Sequence, residues 1–419
     1  MRYSFRYGAG RIDIDADAFN SVFEILPRSA ADQSDVWGTI LNALEHPIGT
    51  DPLANSVSDS STITVVVDRP TAAFPARDVL APVLSSLQAQ ALDPGNITVL
   101  LTSQYDLTCT KDEVNRLLDD PVSQGYHLLL HDPADASRLR EVGKTPTSRT
   151  PLEVNKSFLD ADFKMALSSI RPDPFASATG GGMSILPGLC SLRGMVHHMR
   201  MRAMTKNPPL AVDSPASVDM SEAALLAGLD FVLNTVPDWR GSLADVVGGN
   251  PKAAWSRGVE SSMALSSATI PGKFDLVVVS AGGFPSDLTL YGAIDSLYAA
   301  RIACRRNGAI LLVAECSQGL GPSGFADCVT SAKSEKEVAS LIEDSFRTGM
   351  EKARLFWSVN ESTNLILWSE LPNSLVANKL HCTGVQDSQE ATDAARAILG
   401  TGPKAALVPD GRAIVLSDV

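Results

Sequence analysis

Continuous runs of branched apolar residues alternate with amphipathic stretches along most of this chain. The run Thr62–Asp68 (TITVVVD) is followed by a helical pattern over Ala76–Gln90 and by a second apolar run over Asn96–Thr102. Apolar runs without polar alternation are typical of strands that are buried on both faces of a parallel sheet. The alternation of strand and helix therefore predicts an α/β fold.

The same patterns assign the other elements. Further strands are predicted at Arg2–Tyr7, Arg11–Asp15, Gly125–His131, Leu152–Asn155, Phe163–Ile170, Phe274–Gly283, Ala309–Cys316, Asn364–Trp368, Ala405–Val408 and Arg412–Leu416. Further helices are predicted at Ser34–Glu45, Lys111–Leu118, Leu192–Met204, Pro251–Ser266, Leu288–Arg305, Glu335–Glu351 and Ser388–Leu399, and Ser221–Asn234 is predicted to be a helix followed by a strand.

The length of 419 residues exceeds what one compact core usually holds, at roughly 150 residues per domain. The turn-rich segment IPGKFD places a boundary near residue 268. We therefore predict two α/β domains, residues 1–268 and 269–419, with mostly parallel sheets and an interdomain cleft. Ligands of open α/β sheets bind beyond the carboxyl ends of the strands, so the loops there are the first places to look for chemistry.

Composition narrows the class of protein. With 44% hydrophobic and 20% charged residues, and no apolar run near the roughly 18 residues of a membrane helix, the chain is expected to be soluble. The first residues lack the apolar core of a secretory signal, which favours a cytoplasmic protein. A net charge of −13 opposes binding to nucleic acid or to anionic membranes. The expected partner is a small-molecule ligand, and the oligomeric state is left open.

The six cysteines are scattered without CxxC spacing, which argues against a disulfide framework and against a zinc ribbon. The most unusual local feature is the triplet Gly180, Gly181 and Gly182, which leads towards the predicted helix Leu192–Met204. Such a loop is either an anion-binding nest or a structural turn. It is not a P-loop, because Met183 follows the glycines where a P-loop would bring a lysine.

Several polar residues have two interpretations each. Asp173 and Asp106 lie at the ends of predicted strands, where a carboxylate acts either as a general base or as a turn former. Asp287 and Glu315 share this ambiguity. His198 and its neighbour His197 point about 100° apart on a helix, so they do not easily share one metal ion. One packed and one solvated histidine is the alternative to a ligand.

Six stretches, taken together, resemble the family of nickel-pincer-nucleotide lactate racemases. Members of that family invert the α-carbon of 2-hydroxy acids by hydride transfer to and from a pyridinium-type cofactor that holds nickel. They are ALEHPIGTDPL (Ala43–Leu53), TVVVDRPTAAFP (Thr64–Pro75), VNKSFLDADFKMALSSIRPDPFA (Val154–Ala176), GGGMSILPG (Gly180–Gly188), FDLVVVSAGGFPSDLTLY (Phe274–Tyr291) and GAILLVAECSQGLG (Gly308–Gly321). Because they keep the family's order across both predicted domains, the resemblance implies the family's fold.

The resemblance also shows where this chain departs from the family. One catalytic histidine of the family is replaced by Asp173, and the other falls at Asp106 or Tyr105. The lysine that tethers the cofactor is replaced by Met183, next to the cofactor-binding positions Asp68 and Gly180–Gly182. A thioether cannot form that amide-type bond, so the cofactor is expected to be absent or held noncovalently.

The remaining family positions are altered too. The nickel-ligating histidine falls within about a residue of Met199, which leaves His198 as the nearest donor. After Tyr291, the family's glutamine and lysine are replaced by Gly292 and Asp295. The family's arginine near Asp68 is replaced by Thr71 or Ala73, and Arg69 partly compensates. The substrate-binding candidates are therefore Arg69, Tyr291 and Asp295, and Asp295 is expected to repel a carboxylate.

Three hypotheses fit these substitutions. The first is an isomerase-like or other acid/base enzyme that uses Asp106 and Asp173 as a carboxylate pair in place of the two histidines. The second is a pseudoenzyme that binds or senses a small molecule on the same scaffold. The third is a 2-hydroxy acid racemase or epimerase that holds the nickel-pincer nucleotide noncovalently.

Overall fold

The computed structural model describes residues 2–15, 19–30, 35–69, 74–103, 125–205 and 213–418. The chain divides into two compact units. One unit contains both ends of the chain and comprises Met1–Arg28, Ala203–Lys206 and Ser266–Val419; the other comprises Ser29–Arg202 and Asn207–Leu265. We refer to them as the terminal unit and the central unit.

The strands, in chain order, are β1 (Arg2–Tyr7), β2 (Gly10–Asp15), β3 (Ser21–Glu24), β4 (Ile63–Val67), β5 (Ile97–Leu101), β6 (His127–Leu130), β7 (Leu139–Lys144), β8 (Pro151–Asn155), β9 (Phe163–Ser169), β10 (Pro172–Asp173), β11 (Ser177–Ala178), β12 (Phe231–Pro237), β13 (Leu243–Gly249), β14 (Ser267–Ile270), β15 (Phe274–Ser280), β16 (Cys304–Val313), β17 (Asn364–Trp368), β18 (Thr383–Val385), β19 (Lys404–Val408) and β20 (Val415–Asp418).

The α-helices are α1 (Val36–Glu45), α2 (Leu53–Ser56), α3 (Ala76–Ala89), α4 (Lys156–Leu159), α5 (Leu192–Met204), α6 (Pro215–Ala227), α7 (Pro251–Ser266), α8 (Leu290–Ala293), α9 (Ser296–Ala303), α10 (Ser323–Ser331), α11 (Glu335–Ser345), α12 (Met350–Asn360), α13 (Asn373–Asn378) and α14 (Ser388–Leu399). In the part of the chain that the structure describes, no helix is long and apolar enough to cross a membrane.

Each unit is built on one six-stranded sheet. The central sheet has the order β13-β12-β9-β4-β5-β6, and all its neighbouring strands are parallel except the β12–β13 pair. The terminal sheet has the order β18-β17-β16-β15-β19-β3 and is parallel throughout. Because β3 pairs with β19, the first residues of the chain group with its C-terminal part. The predicted α/β class with mostly parallel sheets is confirmed.

The apolar runs form strands because both of their faces are buried. In β4, Val65 and Val67 pack into one hydrophobic cluster and Val66 packs into another, and none of the three is exposed. Burying one such side chain is worth about 1.5–3 kcal/mol relative to leaving it in water. A strand with only one buried face would have shown alternating polar residues instead.

Most of the predicted elements are present with shifted ends, and two predicted helices are wrong in extent. The helix expected over Glu335–Glu351 ends at Ser345, and a second helix begins at Met350. Gly349 separates them with a φ of 96°, a left-handed conformation that does not continue a helix. The predicted helix Leu288–Arg305 likewise divides into α8 and α9.

Other differences concern short elements. The last strand lies at Val415–Asp418, C-terminal to its predicted position. Several short elements were not predicted, among them the strands β3, β7, β10, β11, β13, β14 and β18 and the helices α2, α4, α10 and α13. The predicted helix Lys111–Leu118 lies outside the described residues.

Candidate functional site

Asp68 follows the central strand β4, and Thr102 follows its neighbour β5, so both lie at the carboxyl edge of the central sheet. The Ser184 hydroxyl donates a hydrogen bond of 2.9 Å to Oδ1 of Asp68. Burial raises the pKa of Asp68 to about 6, although the hydroxyls of Ser184 and Thr102 act in the opposite direction. The residue remains partly exposed. A carboxyl group that titrates near neutral pH at the end of a strand is suited to proton transfer.

Each of the three glycines adopts a backbone conformation or makes a close contact that a residue with a side chain would not allow. Gly180 and Gly181 adopt φ values of 84° and 57°. A Cβ atom on Gly181 would lie 2.7 Å from the ring of Trp255, and one on Gly182 would lie 2.4 Å from the carbonyl oxygen of Met220. The loop therefore packs directly against α6 and α7. This close packing accounts for the three consecutive glycines without an anion-binding role. It also fixes the position from which Ser184 reaches Asp68.

Replacing Gly182 with Ala is expected to lower the free energy of unfolding by about 1–3 kcal/mol, because the added methyl group overlaps a backbone atom that cannot move independently. The urea midpoint measures this change. Gly10→Ala is the matched control, since its added Cβ would lie 3.8 Å from the carbonyl oxygen of Tyr7, an ordinary contact. Equal midpoints for Gly182→Ala and the parent protein would contradict this account of the loop.

Asp173 lies in the hairpin β10–β11 and is held by three donors. Its Oδ1 accepts the backbone N–H groups of Phe175 and Ala176 at 2.8 and 2.7 Å. The guanidinium of Arg202, which is 7% exposed, donates to the same oxygen at 2.9 Å. Asp173 is therefore a turn former and half of a largely buried ion pair at the position where the family resemblance implies a catalytic histidine.

His198 is completely buried on α5. Its Nδ1 lies 2.7 Å from Oδ2 of Asp219, which also accepts the Thr150 hydroxyl at 2.8 Å, while Oδ1 accepts the Thr145 hydroxyl at 2.6 Å. Burial lowers the pKa of His198. Burial alone would raise the pKa of Asp219, but hydrogen bonds from His198 and the two threonines bring it below its usual value. The pair is thus a neutral imidazole on a carboxylate.

The Nε2 atom of His198 is buried, and no described residue donates or accepts a hydrogen bond there. A neutral imidazole nitrogen of this kind has the chemistry of a metal ligand. In the described ranges, however, no three His, Cys, Asp or Glu side chains are grouped as a metal site would require.

Met183 packs against the small apolar cluster of Ala176, Ala216 and Met220. Its thioether is oriented by this packing and carries no group that forms an amide-type bond. The residues present at the glycine loop therefore do not fit a lysine-tethered cofactor. The nearest polar side chain along the loop, Ser184, is already committed to Asp68.

Tyr291 and Asp295 belong to the terminal unit, and both contact α12. Lys352 Nζ lies 2.8 Å from Oδ2 of Asp295 and 4.3 Å from the centre of the Tyr291 ring. The Tyr291 hydroxyl donates to Glu351 at 3.0 Å. The Asp295 carboxylate is thus neutralised by a lysine. The expected repulsion of a carboxylate substrate at this position is correspondingly weaker than the sequence implied.

The other candidates are less informative. Arg69 is partly buried. It precedes residues 70–73, which include Thr71 and Ala73 and lie outside the described ranges. Asp106 and Tyr105 fall in 104–124, which is also outside them. The predicted carboxylate pair of Asp106 and Asp173 is therefore untested.

Sequence reasoning missed four residues that contact candidate residues within their own units: Ser184, Arg202 and Asp219 in the central unit and Lys352 in the terminal unit. Each contacts a candidate residue that is distant in the chain, and the separation is 116 residues for Ser184 and Asp68. Only Ser184 carried a local signal, because it follows the glycine triplet by two positions. The other three lie on helices whose patterns indicate packing alone.

Comparison with known proteins places the fold in context. The family model described as lactate racemase N-terminal domain matches residues 7–209, and the lactate racemase C-terminal domain model matches residues 271–416. The chain is 26% identical over 388 residues to the lactate racemase of Thermoanaerobacterium thermosaccharolyticum, and the match covers 90% of each chain. It is 24% identical over 392 residues to the lactate racemase of Lactiplantibacillus plantarum, again over 90% of each.

Solved structures agree on the fold. The lactate racemase apoprotein from T. thermosaccharolyticum superposes with a TM-score of 0.89 at 23% identity, and the match covers 100% of both chains. A protein from Thermotoga maritima superposes with a TM-score of 0.69 at 14% identity and covers 94% of this chain. The two-unit architecture described above is therefore shared with this structure class.

Proposed function

Because the chain belongs to the lactate racemase family, we propose that it is an isomerase of the racemase or epimerase type that acts on a small molecule by acid/base chemistry. In this proposal Asp68 accepts the proton from the substrate carbon, and the reaction uses no lysine-tethered cofactor. The protein is thus proposed to have kept the family's reaction type while exchanging hydride transfer for proton transfer.

One observation carries the proposal, namely the half-buried carboxyl group of Asp68 with a pKa of about 6 at the carboxyl edge of the central sheet. A general base works best when its pKa lies near the working pH, because a large fraction is then both ionised and basic. Asp173 is a weaker candidate, since three N–H donors already occupy its Oδ1. Asp106 and Tyr105 stay candidates for the acid that returns the proton.

The basicity of Asp68 narrows the substrate class. A carboxylate of this strength removes a proton from carbon readily only where a neighbouring carbonyl group stabilises the resulting negative charge. Hydroxy-aldehydes and hydroxy-ketones meet this condition better than 2-hydroxy acids, whose carboxylate is already negative. We therefore assign a small hydroxy-carbonyl compound as the substrate.

A substrate screen tests the proposal. The protein is purified from cells that do not make the nickel-pincer nucleotide and is treated with EDTA. It is then incubated with a panel of hydroxy-aldehydes, hydroxy-ketones and both enantiomers of several 2-hydroxy acids, and the products are separated by chiral chromatography. Isomerisation within the hydroxy-carbonyl group supports the proposal. Activity that appears only on 2-hydroxy acids, and only with nickel and the nucleotide supplied, overturns it.

Intact-mass spectrometry tests the missing tether. When the protein is produced together with the enzymes that make the cofactor, its mass is expected to equal that of the unmodified chain, because Met183 offers no amine for attachment. A family member that has the lysine is the positive control, and the Met183→Lys variant shows whether the loop accepts attachment. A covalent adduct on the unaltered chain would contradict this prediction.

A second candidate function is a binding protein without catalysis. It is favoured by the ion pairs Asp173–Arg202 and Asp295–Lys352, which engage two positions where family resemblance implies reacting or substrate-holding groups. A thermal-shift screen with the same panel distinguishes the two candidates. A ligand that raises the midpoint and is recovered unchanged favours binding alone.

A further inference from the structure

The central unit contains a cavity on the side of the glycine loop that faces α6 and α7. Its volume is about 590 Å3, and Gly180 and Gly182 form part of its wall. Cavities of roughly 300–1,000 Å3 are the size that small-molecule ligands occupy in proteins. Asp68 is not among its lining residues, so the cavity is separate from the carboxyl group assigned to catalysis.

The walls of the cavity are largely apolar. Met220, Leu229 and Trp255 contribute buried surface, and Leu225 contributes a side chain that is 82% exposed. Trp255 is held in place by a hydrogen bond of 2.9 Å from its indole N–H to the carbonyl oxygen of Thr179. A fixed aromatic ring beside flexible aliphatic side chains is suited to an apolar or aromatic ligand body.

The charges at the cavity favour an anionic end on that ligand. Lys252 lies in the first turn of α7, is exposed, and forms no ion pair with any described residue. The positive end of the α7 dipole lies in the same turn. Oδ1 of Asn250 already accepts the N–H groups of Lys252 and Ala253 at 3.2 Å, so the Lys252 ammonium is the charged donor that this turn offers to a ligand.

The two acidic residues of the wall are less available. Both oxygens of Glu222 accept hydrogen bonds from Thr147, one from its backbone N–H at 2.9 Å and one from its hydroxyl. Asp213 precedes Ser214, the N-cap of α6, where the positive end of that helix offsets its charge. Among the described lining residues, Lys252 is therefore the group that offers a positive charge to a ligand.

We propose that this cavity binds a small amphiphilic monoanion, with an aromatic or branched apolar body against Trp255, Met220 and Leu225 and a carboxylate on Lys252. The assignment goes beyond the proposed isomerase function, because it concerns a second site. A ligand there would contact the same glycine loop whose Ser184 holds Asp68.

Three compounds of one shape test the charge preference: phenylbutyrate, its neutral amide and the corresponding primary amine. Isothermal titration calorimetry measures their dissociation constants on the full chain. We expect the acid to bind most tightly and the amine most weakly. We expect Lys252→Gln to raise the dissociation constant of the acid about fivefold and to leave that of the amide unchanged. Lys336→Gln, at an exposed lysine on α11, is the matched control.

Leu225→Glu supplies an independent test, because Leu225 is 82% exposed and the new charge lies on the cavity wall. It is expected to weaken the acid and to strengthen the amine. The proposal is overturned if the amine binds as tightly as the acid, if none of the three compounds binds, or if both variants bind the acid as the parent protein does. Loss of isomerase activity has no bearing on these outcomes, so failure of the two proposals is distinguishable.

Discussion

Replacing Asp68 with Asn is expected to lower turnover of a hydroxy-carbonyl substrate by about 10²–10⁴-fold, the usual contribution of a positioned general base. The amide keeps the size of the side chain and can still accept the Ser184 hydrogen bond, so the loss reports the missing basicity rather than a changed shape. In the parent protein kcat/KM is expected to rise with pH through about 6, because the ionised carboxylate is the active form.

The same substitution is expected to stabilise the fold at pH 8. The folded-state pKa of Asp68, about 6, lies above its unfolded value of 3.8, so the folded protein binds the proton more tightly. Stability from this group is therefore fully present below pH 3.8 and is lost as pH rises through about 6. Asn cannot ionise, so Asp68→Asn should raise the free energy of unfolding at pH 8 by about 1–3 kcal/mol, after allowance for partial exposure.

Urea unfolding at pH 4 and pH 8 measures this difference, which should be small at pH 4. Asp59→Asn, at an exposed loop position of the same unit, is the control and should change neither activity nor stability. A variant that loses activity and also loses stability at pH 8 would indicate that Asp68 has a structural role instead.

Replacing Asp219 with Ala is expected to lower the free energy of unfolding by about 3–5 kcal/mol. The carboxylate is fully buried and accepts hydrogen bonds from Thr145, Thr150 and His198. Its removal leaves three buried polar groups without an acceptor, and each unsatisfied group costs about 1–3 kcal/mol. Asp344→Ala, at an exposed position of α11, is expected to change stability by less than about 0.5 kcal/mol.

The pH dependence of this pair has a defined sign. The Asp219 pKa is lowered in the folded state, so its contribution is present above the unfolded pKa and is lost as pH falls through the folded value. The His198 pKa is also lowered, so below about 6.5 the unfolded chain takes up a proton that the folded protein does not. Both effects destabilise the fold in acid. Asp219→Ala should therefore flatten the acid limb below the ordinary aspartate pKa of 3.8 and leave the part that buried His198 contributes below about 6.5. A limb that is unchanged below pH 3.8 would contradict the assignment.

The parts of the fold that the sequence predicts well are those whose signal is local. The run Ile63–Val67 has no polar alternation because each residue is buried, and this alone identifies a central strand. The Gly349 break was not recognised, because a glycine inside an amphipathic pattern does not reveal its φ value. The strand Leu243–Gly249 was missed since Asp245 interrupts its apolar run, two glycines end it, and it pairs antiparallel at the sheet edge.

The candidate site was predicted less completely, for a physical reason. Asp173 and Arg202 lie 29 residues apart, and Asp295 and Lys352 lie 57 apart. No periodicity or spacing rule connects such partners, because the tertiary fold alone brings them together. From the sequence, either carboxylate could be interpreted as functional or as structural. The structure shows that Asp173 pairs with Arg202 and that Asp295 pairs with Lys352.

Asp68 shows the opposite case. Family resemblance assigned it to cofactor binding, and the sequence carried no sign of its altered pKa. That shift depends on burial at the sheet edge and on the position of Ser184, which in turn requires glycines that pack against Met220 and Trp255. The acid/base assignment thus needed the structure.

The most direct test of the central claim is isotope exchange during turnover in D2O. Proton transfer through Asp68 places the removed hydrogen in exchange with solvent, whereas hydride transfer to a cofactor carries it between carbon atoms without exchange. We predict that the 1H NMR signal of the hydrogen on the isomerised carbon of the product will be lost as deuterium replaces it. Asp68→Asn is expected to abolish this incorporation. Isomerisation with complete retention of the original hydrogen would contradict the claim.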